Sequence, residues 1–174
     1  MHRFIYSFFV ISLLNTHLVS SENQTTYLIC KPDTWLAKAD NSENNTFIKF
    51  TKGIFKIDVK LNEKKIMDEL DGENIWKLMQ WTFSADETET HYEEKWDYYY
   101  DDNKSPSGKN FSLHRKTLEL SHRSTRLSEI PEIIKSNCKI VDASLWNESV
   151  GEVIEVLKTK ESRIRKLHEE ELKI

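Results

Sequence analysis

His114 and His122 are the residues best suited to acid–base work, because imidazoles titrate near neutrality, and Arg115, Lys116 and Arg123 beside them would suit a polyanion such as RNA. On one strand an even separation puts both rings on the same face, but about 26 Å apart. That is too far for joint work at one bond, so surface histidines among basic residues are the expectation. A second cluster, Asp86, Glu87, Glu89, Glu93, Glu94, Asp97, Asp101 and Asp102, has the charge for calcium. A calcium loop needs oxygens at fixed intervals and a glycine at its sharp turn, which this spacing does not supply. A solvated acidic strand face is expected instead.

No Ser/His/Asp ordering, GxSxG, HExxH or phosphate-cradling glycine loop occurs. No catalytic residue, metal ligand or cofactor is therefore expected, and the chain reads as a non-enzyme. The candidate recognition residues are Trp96, Tyr98, Tyr99 and Tyr100. Alternation puts Trp96, Tyr98 and Tyr100 on one face and Tyr99 on the other; buried rings fill a core, and open rings would line a pocket or a partner patch.

Cys30 and Cys138 are the only two cysteines. Neither lies in a CxxC or beside a histidine, so a single intramolecular disulfide is expected, as suits an exported chain. In the chain-entropy picture, closing so long a loop contributes about 4–5 kcal/mol. Five Asn-x-Ser/Thr sequons, at Asn23, Asn44, Asn103, Asn110 and Asn147, mark candidate glycosylation sites.

Export is also written at the start of the chain. Met1, His2 and Arg3 precede a mostly apolar run from Phe4 to Leu18, and Val19-Ser20-Ser21 offers small residues for cleavage. Residues 1–20 thus read as a signal peptide and residues 21–174 as one extracellular domain. No later segment is apolar enough to span a bilayer, so no membrane span is expected in the mature chain. The net charge of −4 and the absence of a basic stripe argue against a nucleic-acid partner.

The elements that must position these residues follow from periodicity. Thr26 to Cys30 is a short apolar run, and Asp40 to Asn45 a polar loop. Phe47 to Lys60 reads as a hairpin turning at Lys52-Gly53, with Phe55, Ile57, Val59 and Leu61 alternating against Lys56, Asp58 and Lys60. Asn62 suits an N-cap for a short helix, Glu63 to Leu70, with Ile66, Met67 and Leu70 on one side and Gly72 closing it. Strands are expected over Ile75 to Phe83, Thr88 to Tyr100 and Phe111 to Ser121. Ser128 and Pro131 open a helical segment, Ile130 to Ser136, and Glu148 to Leu172 carries apolar residues at three- and four-residue spacing.

The expected fold class is therefore α+β: an antiparallel β-sheet of about six strands, a short middle helix, a long C-terminal helix packed against the sheet, and one disulfide. An open platform crossed by helices, as in MHC class I-like proteins, and a closed barrel followed by a helix, as in lipocalins, both accommodate this order. The lipocalin GxW pattern near the first strand is missing and the cysteine spacing is not that of the platform, so no family is assigned. The leading functional expectation is a secreted glycoprotein that binds an extracellular protein partner, such as a host or immune molecule. The alternative is a lipocalin-like extracellular carrier of a small hydrophobic ligand.

Overall fold

A computed structural model describes residues 24–33, 42–53, 56–89, 91–100, 105–124 and 132–172. Residues 1–20, read above as a signal peptide, and Asn23 and Asn103 lie outside them. Eight strands follow one another: β1 (Gln24–Pro32), β2 (Thr46–Lys52), β3 (Ile57–Leu70), β4 (Glu73–Glu87), β5 (His91–Tyr100), β6 (Ser105–His114), β7 (Glu119–Ser124) and β8 (Glu132–Val141). Helix α1 (Ala143–Glu171) ends the described chain. Each strand is antiparallel to its neighbour in sequence, and β8 returns to pair with β1, closing a barrel.

Closure follows from strands that must bury one face. Ile57, Val59 and Leu61 of β3 alternate with exposed Asp58 and Lys60, and the same alternation places Leu28, Cys30, Ile48, Phe50, Phe111, Leu113 and Leu120 in one inner core. Cys30 and Cys138 face each other across β1 and β8 and form the disulfide inside the barrel. The crosslink thus ties the first strand to the last.

The outer face of the barrel carries the helix. Asp142 caps it by accepting from the Leu145 amide at 2.8 Å. Trp146, Val153 and Leu157 of α1 then pack on Phe47, with Tyr27, Ile29, Trp76 and Leu78 around them. The Trp146 ring meets Tyr27 at 5.6 Å and Phe47 edge-on at 6.4 Å.

Four expectations are corrected. The sheet has eight strands rather than about six, and of the two architectures that suited the order of elements it is the closed barrel. Residues 63–70 belong to β3, and among the described residues the short helical piece before α1 is a 3-10 turn at Ser42–Asn44. Their apolar residues fall at helical spacing because the register shifts between Ile66 and Asp68, which interrupts the period of two. Asp71 and Gly72, both at positive φ, form the two-residue hairpin turn that looked like a helix stop. Finally, the segment before Cys138 is strand β8, and the stretch from Phe111 to Ser121 splits into β6 and β7 around a turn at Leu118.

Candidate functional site

The barrel interior changes character along its axis. Toward the end where β2 meets β3, β4 meets β5 and β6 meets β7, it is apolar: Phe50 and Tyr92 pack at 4.6 Å, and one tier further in Phe83 and Phe111 pack edge-on at 5.0 Å. A charged clamp ties this end from outside. Glu87 at the end of β4 accepts from Lys52 and pairs with Arg115, each at 2.8 Å, and Arg115 also lies over the Tyr92 ring. The hydrogen bond from Lys52, reinforced by both cations, holds the Glu87 carboxyl below the usual carboxylate range.

Toward the other end, polar side chains point inward among apolar ones. Thr46 sits opposite Cys30, and Glu63 lies two residues beyond inward-facing Leu61. His122 Nε2 meets Glu63 Oε2 at 3.1 Å, with the imidazole only 4% exposed. Ser136 of β8 is 1% exposed. The pairs Leu120↔Ser136 and His122↔Ile134 make His122 and Ser136 diagonal neighbours, about 7–8 Å apart, on the inner face. Neither His122 Nδ1 nor Ser136 Oγ has a hydrogen-bond partner among the described residues. The Lys65 ammonium stands 4.0 Å from the centroid of the Trp81 ring on the neighbouring strand.

The histidines are therefore separated by environment as well as position. His122, expected on the surface, lies buried in the barrel. His114 ends β6, stacks edge-on with His91 at 4.8 Å, and accepts from the amides of Lys116 and Thr117 through Nδ1. Among the described residues, no three His, Cys, Asp or Glu side chains converge as a metal site requires. Glu63 was hidden from sequence reasoning by its apparent place in a helix. The period-two pattern of Val59, Leu61 and Glu63 was the signal that would have turned it inward.

Of the other predicted site residues, Trp96, Tyr98, Tyr99 and Tyr100 lie along β5, with side chains outside the described residues, as is that of Asn110 in β6. Asn147 is exposed on α1. The Asn44 side chain accepts from Lys64 Nζ at 2.9 Å.

A concavity lies outside the barrel. A groove of about 300 Å³ runs between α1 and the β3–β4 hairpin, with Ile75, Trp76, Leu157 and Ile164 as its apolar lining. Its polar rim is already engaged: Lys160 holds both oxygens of buried Glu43 at 2.6 Å, and Lys64 stands 3.9 Å from the same carboxylate. This groove reads as the seam where the helix is fastened to the barrel.

No known family model, curated protein or solved structure matches the chain. The fold and the site define an eight-stranded, antiparallel, up-and-down β-barrel with a C-terminal helix, apolar at one end of its interior and polar at the other. No described helix is long and apolar enough to cross a membrane.

Proposed function

We propose that this chain is a secreted glycoprotein that works as a binding module, a lipocalin-like carrier that takes one small, mainly apolar ligand into its barrel rather than an enzyme. The observation that carries this reading is the pair of buried polar atoms aimed into the barrel, His122 Nδ1 and Ser136 Oγ. Each unsatisfied buried group costs about 1–3 kcal/mol, which a ligand returns if its polar end pairs with both. His122 Nε2 is engaged by the Glu63 carboxylate, which leaves Nδ1 and Ser136 Oγ to face the ligand. The ligand's polar end therefore hydrogen-bonds to both groups, and its apolar body rests against Trp81, Phe83 and Phe111. An eight-stranded barrel is just wide enough to be filled by its own side chains or to hold one small ligand.

Export is supported by the leader pattern, the five sequons and the disulfide, whose formation needs an oxidising compartment. A carrier released outside the cell would act by sequestering or delivering its ligand, which fits a host or immune setting. Binding to a protein partner is the second reading. The exposed apolar side chains Ile133, Ile140 and Leu145 around β8 and the start of α1 favour it.

Native mass spectrometry of gently purified, secreted protein tests the carrier reading. The expected spectrum shows a one-to-one complex with a small molecule, lost in His122→Phe. Protein that never carries an adduct and takes none up from a lipid extract contradicts it.

A further inference from the structure

The groove that fastens α1 to the barrel also encloses one amine. Alternation with inward Leu61 and Glu63 turns Lys64 of β3 outward, into the space beneath the helix. Its side chain is only 18% exposed, and its ammonium lies over the Trp76 ring, 4.6 Å from the centroid. The amine donates to Asn44 Oδ1 at 2.9 Å. The nearby carboxylate belongs to another cation: Glu43 gives both oxygens to Lys160 at 2.6 Å and stands 3.9 Å from Lys64. Burial is the main force toward the neutral amine; Glu43 opposes it and Lys160 adds to it, leaving the pKa of Lys64 below its ordinary 10.5.

A cavity adjoins this nitrogen. Lys64 shares the wall of the groove of about 300 Å³ with Ile75, Trp76, Leu157 and Ile164, so a molecule that reaches the amine rests on apolar surface. The nitrogen can also give up its charge without stranding a partner. Glu43 keeps both contacts with Lys160, and α1 stays tied to the β3–β4 hairpin through Lys77 with Glu161 and Asp71 with His168. We infer that Lys64 is a nucleophilic amine that captures small apolar aldehydes as imines in the groove beneath α1. The amine lone pair attacks the carbonyl carbon and forms the C–N bond; the carbonyl oxygen then leaves as water with the two amine protons, and a C=N bond remains. The step consumes no oxidant or reductant, and water reverses it. The hydrocarbon chain of the aldehyde lies against Trp76, Leu157 and Ile164. This site is separate from the barrel interior, so it stands or falls independently of the carrier reading.

Hexanal is the probe, with sodium cyanoborohydride to reduce each imine to a stable secondary amine on the purified, folded protein. Peptide mapping by mass spectrometry near neutral pH should show Lys64 alkylated about tenfold or more faster than the exposed Lys56 and Lys158, because more of it is the neutral nucleophile and the groove holds the chain. The preference should vanish in urea. It should also shrink with formaldehyde, which has no hydrocarbon chain to occupy the groove. In Lys64→Arg, which keeps the positive charge, the fast phase of adduct formation in intact-mass spectra should disappear while the slow phase remains. Lys64 labelled no faster than Lys56 and Lys158 in the wild type overturns the inference, whatever the variant does. A preference that survives urea, or is equal for hexanal and formaldehyde, overturns it as well, since the groove would then contribute nothing.

Discussion

His122 and Glu63 illustrate how an inward-facing polar pair shapes a small barrel. A carboxylate 13% exposed and an imidazole 4% exposed cannot be solvated by bulk water, so each depends on the other. Removing one partner leaves the other buried without its bond. We expect His122→Leu to destabilise the fold by about 1–3 kcal/mol, while Glu63→Leu combined with His122→Leu costs clearly less than the sum of the single changes. Urea unfolding of the four proteins measures that coupling, and simple additivity would remove the pair from the account of the core. Little of this was legible in the sequence. Arg123 next to His122 suggested a surface, whereas alternation with inward Leu120 sets its orientation. The expected disulfide partners, by contrast, were readable from cysteine count and compartment alone.

At the scale of elements, the strands with clean period two were legible, and those with an irregularity were not. The hairpin around Lys52-Gly53 and the C-terminal helix were expected close to where they lie. The register shift in β3 imitated a helix, and Asp71-Gly72 imitated its end. Gly72 lies at φ +73° with open space where a Cβ would go, so Gly72→Ala should cost only the left-handed backbone strain, about 1 kcal/mol, in thermal or urea unfolding. The helix contributes more. Trp146→Ala empties its main contact with Phe47 and Tyr27 and should cost about 3–5 kcal/mol by the same assay. The helix seam also has a pH signature. Burial, only partly opposed by Glu43, lowers the pKa of Lys64 from its ordinary 10.5. The folded chain then holds fewer protons than the unfolded one between that lowered value and 10.5, so this group's contribution to stability rises with pH across that alkaline window. Lys64→Met should abolish the rise; an unchanged alkaline profile of the urea midpoint would count against it.

At the scale of the molecule, the described strands form a closed barrel whose first and last members pair. Closure pairs β1 with β8 across most of the sequence, and no local pattern announces such a contact, which is why an open platform and a barrel looked equally suited to the order of elements. The one long-range clue was the cysteine pair, separated by 108 residues and now seen to join those two strands. Replacing both cysteines by serine should lower stability by about 2–5 kcal/mol, measured by urea unfolding with and without reductant. The central claim is that the interior of the barrel, and not the outer groove beneath α1, receives the ligand. A fluorescence titration with 1-anilinonaphthalene-8-sulfonate, comparing wild type with Ser136→Phe and using far-UV circular dichroism to show that both are folded, tests it most directly. One saturable site in the wild type, weakened by about tenfold or more when a phenyl ring fills the space at position 136, is the predicted result. Equal binding by the two proteins, or none by either, would contradict it.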